Sequence, residues 1–191
     1  MVDPKRDIAE VMRIAHLKGL TTGAGGNASV RANGGIYITP SGKFKGNLKP
    51  EDIVFVSWDG KPSGGKPSSE WRMHLEIYRT RPDVNSVLHC HHPLVTGLAN
   101  LFTSSDLFDE EDWTEEARIL LKGVKVIGWR PYGTEELAKA VASAISEVNA
   151  VVIRRHGPVI ASEGDLWKAL AAMESLVEVA TINFLRRTLK G

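Results

Sequence analysis

The stretch Ser86–Leu94, SVLHCHHPL, sets three histidines and the chain's only cysteine at consecutive positions 89–92. Its reading decides the rest. VNSVLHCH reads as a strand, β-branched and apolar up to the first histidine. Side chains alternate faces along a strand, so His89 and His91 share one face while Cys90 and His92 point the other way. Two neutral imidazoles at i and i+2 suit a zinc ion. His92 precedes Pro93, where a helix could begin, which suits it to capping or to a supporting hydrogen bond. Cys90 reads as a small buried apolar residue; to act as a thiolate ligand it would need the strand to turn its face around.

Outward from this strand, helical and strand signals alternate. DPKRDIAEVMRIAHLKG opens with Asp3 as N-cap and Pro4 at the first helical position, carries Ile8, Val11, Met12 and Ala15 on one face, and stops at Gly19. GGIYITP and DIVFVSW read as short strands between Gly, Pro and Asn turns. A second helix is expected from Ser68 or Ser69, burying Trp71, Leu75 and Tyr78 at i, i+4, i+7. TEELAKAVASAISEV reads as a helix capped by Thr134, AVVIRRH as another strand, and Asp165 to about Lys190 as a long final helix. No repeat and no linker interrupts the chain, so residues 1–191 are expected to form one α/β domain. The strand order is not legible from these signals.

The segment SDLFDEEDWTEE holds seven acidic residues between Asp106 and Glu116. It reads as a solvated loop or an acidic helix start, where carboxylates suit the helix dipole. A flap over a site is the alternative.

Composition narrows the partners. The chain has 191 residues, 42% hydrophobic and 25% charged, with a net charge of +1. No long basic run appears, so nucleic acid is not an expected partner. One cysteine excludes an intrachain disulfide framework. No stretch reads as a signal peptide or a membrane span, so a cytoplasmic protein without membrane attachment is expected.

A metal site needs more than two histidines. His156 ends AVVIRRH and is followed by Gly157-Pro158, a break that would let its side chain project into a cleft. His16 reads as a surface or interface residue. His74 lies one turn after Glu70, but its apolar neighbours favour packing. His-x-His plus a remote histidine also describes zinc hydrolases and carbonic anhydrase-like sites, so spacing leaves the chemistry open. Three small-residue clusters add a second signal: GAGGNAS (23–29), TPSG (39–42) and KPSSE (66–70). Such turns expose backbone N–H groups and hydroxyls, the donors that a phosphate takes. Together with the histidines they point to a phosphorylated substrate held beside a metal.

GNASVR, YITPSG, KPSSEWRMHLEIYRTRPDVNSVLHCHHP and RRHG, in that order, resemble the class II aldolase family, nearest to its branch acting on L-fuculose 1-phosphate. The resemblance covers about residues 5 to 190. It implies a three-layer α/β/α sandwich around a largely antiparallel sheet, and a cyclic homotetramer with active sites at subunit interfaces. It implies His89, His91 and His156 as ligands of one Zn2+, Glu70 as the catalytic carboxylate, and Gly26, Asn27, Ser41, Gly42, Ser68 and Ser69 as phosphate-binding positions. The implied activity is retro-aldol cleavage of a ketose 1-phosphate to dihydroxyacetone phosphate and a short aldehyde. A divalent ion would act as Lewis acid toward the enediolate, and a neighbouring carboxylate would move the proton at carbon.

Some features depart from that pattern. The family's tyrosine shortly after His-x-His is missing, since no tyrosine lies between Leu94 and Pro131, and the sequence stops at Gly191, before the tail that brings a second one. Tyr132 is the nearest phenol, in YGTEEL, which reads as a structural turn. Arg155 stands where a small polar residue or histidine is usual. Sugar-phosphate 4-epimerases of the superfamily carry aspartate where this chain has Glu70, which favours the aldolase. Methylthioribulose-1-phosphate dehydratases keep glutamate there and stay open. The adducin head, an interaction module of the same fold, lacks the metal ligands that this chain has.

Overall fold

The computed structural model describes residues 3–102, 108 and 113–189. Helix α1 (Pro4–Leu17) begins where Asp3 accepts a hydrogen bond from Lys5 N at 3.0 Å, and Ile8, Val11, Met12 and Ala15 are buried on one face. The strands are β1 (Asn27–Ala32), β2 (Gly35–Ile38), β3 (Val54–Ser57), β4 (Pro62–Ser63), β5 (Ser86–His89), β6 (Val124–Ile127), β7 (Ala150–Ile153) and β8 (Gly157–Ser162). They form one sheet in the order β4-β3-β2-β1-β5-β8-β7-β6. Every neighbouring pair is antiparallel except β6 with β7. The largely antiparallel sheet that the resemblance implied is present.

The remaining helices are α2 (Trp71–Thr80), α3 (Pro93–Leu101), α4 (Glu115–Leu121), α5 (Glu135–Ile145) and α6 (Leu166–Leu189). The sheet separates two apolar layers, because consecutive side chains on each strand enter opposite ones. Leu88, Val152 and Ile160 pack with residues of α1, α3, α4 and α6; Val87, Val151, Val159 and Ala161 pack with residues of α2 and α5. This is the α/β/α sandwich. Among the described residues, no helix is long and apolar enough to cross a membrane.

The local chemistry of the helix starts matches the sequence. Thr134 caps α5 by accepting from Leu137 N at 3.2 Å, and His92 caps α3 by accepting from Val95 N at 3.5 Å. Thr114 caps α4, whose first turn holds Glu115 and Glu116, as an acidic helix start requires. Most of the remaining acidic segment lies outside the described residues.

Three features differ from expectation. Helix α2 starts at Trp71 rather than at the serines: Ser68 O accepts from Trp71 N in a turn, and Glu70 occupies the cap position with no side-chain cap. Strand β5 ends at His89, which leaves His91 beyond it. His156 sits in the turn joining β7 to β8 instead of at a strand end before a break. Gly157 then opens β8 at φ +155°, where an added Cβ would lie 2.1 Å from Cys90 O, so no larger residue fits between the adjacent chains.

Candidate active site

The antiparallel pairing of β5 with β8 carries the histidines together. His89 is opposite Val159, so the turn that holds His156 lies over the end of β5. His89 Nε2 is 3.0 Å from His91 Nε2 and 3.2 Å from His156 Nε2, and the ligand atoms of the three lie within 4.8 Å of one another. Tetrahedral zinc with Zn–N bonds of 2.0–2.1 Å separates its nitrogens by about 3.3 Å, close to the two separations that His89 Nε2 makes. His89 Nδ1 donates to Pro158 O at 2.9 Å, which fixes the tautomer and turns the Nε2 lone pair toward its neighbours. Burial holds all three imidazoles below their ordinary pKa: well below for His89, to about 4 for His156, and lower in direction for His91. Neutral imidazoles are the form a metal binds. Cys90 is fully buried, its thiol pushed up out of the titratable range by desolvation, as a packed apolar residue.

The small-residue clusters converge on the same place. Thr39 N donates to Ala28 O and Ser68 N to Thr39 O, while Ser41 N donates to Lys66 O, so the three segments are stitched side by side. Gly26, Asn27, Ser41, Gly42, Ser68 and Ser69 line one cavity of about 370 Å³ together with Glu70, His91 and His156. Gly26 has φ +70°, and an added Cβ would lie 2.7 Å from His89 O, so the loop runs against the strand end only without a side chain. Gly25 is similarly tight against the His91 ring, 2.6 Å from Nδ1 to the position of an added Cβ.

Glu70 is 3% exposed. Its Oε1 accepts from Gly133 N at 2.9 Å, while the buried Oε2 has no partner. Desolvation pushes the carboxyl up to about 7 against the opposing pull of the Gly133 amide. An acid of that strength can exchange protons near neutral pH, and the orphaned oxygen is free for a substrate proton or an ion.

Further residues support the cavity or line it. His74 is buried and neutral, lowered to about 3; Ser29 Oγ donates to its Nδ1, and its Nε2 donates to Asn27 Oδ1, leaving the Asn27 NH2 as the free donor. Gly133 acts through its backbone, which no motif reports. Tyr132, read as part of a structural turn, lines the cavity at 72% exposure, beside Trp129 and Arg130. Arg155 also lines it, in a left-handed conformation at φ +59°, with its guanidinium over the Trp129 ring. Lys45 is buried there, its pKa lowered by desolvation.

Residues 6–184 match the family model described as Class II Aldolase and Adducin N-terminal domain. The chain belongs to this family. It is 37% identical over 182 residues to an L-fuculose phosphate aldolase of Methanococcus vannielii, covering 94% of this chain and 96% of that one. A 5-methylthioribulose-1-phosphate/5-deoxyribulose-1-phosphate aldolase of Rhodospirillum rubrum is 36% identical over 166 residues, 85% of this chain and 72% of that one. Among solved structures, the L-fuculose-1-phosphate aldolase of Thermus thermophilus superposes with a TM-score of 0.85 at 31% identity, covering 97% of this chain and 94% of that one. This class II aldolase family member is an enzyme of the metal-dependent kind, and His89, His91 and His156 are the group that could hold its ion.

Proposed function

We propose that the protein, acting as one domain over residues 1–191, is a zinc-dependent aldolase. It would cleave a ketose 1-phosphate of the L-fuculose 1-phosphate type to dihydroxyacetone phosphate and a short aldehyde. The observation that carries this reading is a single cavity shared by six phosphate-donor positions, two of the three clustered imidazoles and a carboxyl poised near neutrality. His89, His91 and His156 would hold the ion, which, when bound, supplies the Lewis-acid charge that an enediolate requires. The chain's own residues do the rest. Backbone N–H groups of the Gly26 and Gly42 loops, the Asn27 amide and the hydroxyls of Ser41, Ser68 and Ser69 grip the phosphate and so place the sugar carbons against Glu70. As the C3–C4 bond breaks, the C4 hydroxyl loses its proton to solvent and becomes the aldehyde carbonyl, the electron pair of the broken bond stays with C3, and Glu70 delivers a proton there to complete dihydroxyacetone phosphate. In the synthetic direction the same carboxylate removes that proton.

The names of the relatives favour two substrate types, a 6-deoxyketohexose 1-phosphate such as L-fuculose 1-phosphate and a 5-substituted ribulose 1-phosphate. A retro-aldol assay on ketose 1-phosphates that includes 5-methylthioribulose 1-phosphate separates them. Release of dihydroxyacetone phosphate is expected. Loss of water without carbon–carbon cleavage would make the protein a dehydratase, inversion at C4 an epimerase, and no turnover of any ketose phosphate would overturn the reading. The protein would act as a cytoplasmic homotetramer with active sites at subunit interfaces, in keeping with the exposed Trp129 and Tyr132 on the cavity rim. Light scattering should then report four times the 20.9 kDa chain mass.

A further inference from the structure

Among the described residues, only two of the lysine, arginine, aspartate and glutamate side chains are nearly fully buried, Lys45 and Glu70, each 3% exposed, and both line the same cavity. Glu70 has a role in the proposed chemistry; Lys45 has none. Its Nζ donates to Lys43 O at 3.0 Å, which leaves two of the three ammonium protons without an acceptor. The Asp52 carboxylate is taken by Lys43 at 2.6 Å and by Lys49 N. A buried cation with no anionic partner is unfavourable unless something outside the chain completes it.

The position of Lys45 says what would complete it. Its backbone N donates to Gly23 O at 2.8 Å, tying it to the glycine-rich loop that leads into Gly26 and Asn27. Lys45 and His91 line the same cavity, and the Lys45 charge disfavours protonation of His91, so a divalent ion on the histidines would add a second positive charge to that cavity. An anion between the two charges turns their repulsion into two attractions. The phosphate positions named so far offer only neutral donors: amide, hydroxyl and backbone N–H. A phosphate monoester brings close to two negative charges.

We infer that the Lys45 ammonium is a charged anchor for the substrate's phosphate, closing on it from the Gly23–Asn27 side of the cavity. This rests on the reading of the cavity as a sugar-phosphate site. The test is binding of inorganic phosphate by calorimetry to the metal-loaded wild type and to Lys45→Met, with metal content measured for both. Loss of one charge-assisted contact should raise the dissociation constant roughly 10- to 100-fold. KM for dihydroxyacetone phosphate in its proton exchange should rise in step, with kcat within about threefold, and Lys45→Arg should restore most of the affinity. If Lys45→Met proves unfolded by circular dichroism, Lys45→Gln carries the same comparison. Equal phosphate binding by wild type and variant would overturn the role of Lys45 while leaving the phosphate site in place. A kcat loss with phosphate binding unchanged would overturn it too. Wild-type protein that takes up no phosphate would overturn both the anchor and the site it rests on.

Discussion

Replacing Glu70 with Gln tests the site twice, once through stability and once through chemistry. The wild-type carboxyl is held at about 7 in the fold against an ordinary 4.5. That difference of about 2.5 pH units corresponds to roughly 3 kcal/mol at about 1.36 kcal/mol per unit. Because the folded pKa is raised, the folded chain keeps a proton that the unfolded chain releases between those two values. The stabilisation is whole below about pH 4.5, is lost as pH rises through about 7, and changes little above. Glu70→Gln has no such proton. Its amide leaves a buried donor unpaired at the place of Oε2, a cost of about 1–3 kcal/mol, but one independent of pH. Urea unfolding of both metal-free proteins at about pH 5 and about pH 8 isolates the effect, since the histidine titrations are common to both. The stability of the variant relative to wild type should improve by about 2.5 kcal/mol from the lower pH to the higher, the part of the total that falls in that interval. In the metal-loaded proteins, exchange of the C3 proton of dihydroxyacetone phosphate with solvent deuterium should fall by about 10²–10⁴ with the ion retained. A pH-independent stability difference would refute the burial argument. Exchange at the wild-type rate in a metal-loaded variant would show that Glu70 is not the proton-transfer group.

Three further outcomes follow from the same geometry. Ser69→Ala removes one hydroxyl from the phosphate wall and should raise KM for a ketose 1-phosphate about tenfold with little change in kcat, measured by steady-state kinetics. Gly25→Ala puts a Cβ 2.6 Å from His91 Nδ1, so the ring must move; metal affinity by chelator competition should drop at least about tenfold, with the circular dichroism spectrum unchanged. Treatment with a strong chelator should abolish turnover, and added zinc should restore it; full activity in protein stripped of divalent ions would remove the three histidines from the mechanism.

The chain by itself determined those features whose cause is local. Asp3 before Pro4 and Thr134 before an apolar 3.6-residue pattern set the starts of α1 and α5, because a cap and a periodic face need only neighbouring residues. The motif order was enough to name the family, and it singled out His89, His91, His156, Glu70 and the six proposed phosphate positions without any knowledge of contacts; the structure gathers them about one cavity. The tertiary structure decided the rest. Strands β1 and β8 were not read as strands, because Asn27 and Gly157-Pro158 are turn residues by propensity; pairing of both with β5 overrides that preference. The histidines meet because β8 lies beside β5 and turns His156 over its end, whereas the proposed face-sharing of His89 and His91 along one strand stops at His89. Glu70 became an acid near neutrality only through burial, which outweighs the opposing pull of an amide from Gly133, a residue 63 positions away. The charge on Lys45 is ordinary in a sequence with twelve lysines. Its meaning comes from lying inside the fold with no anionic partner, a property of the packed chain that no short stretch of residues encodes.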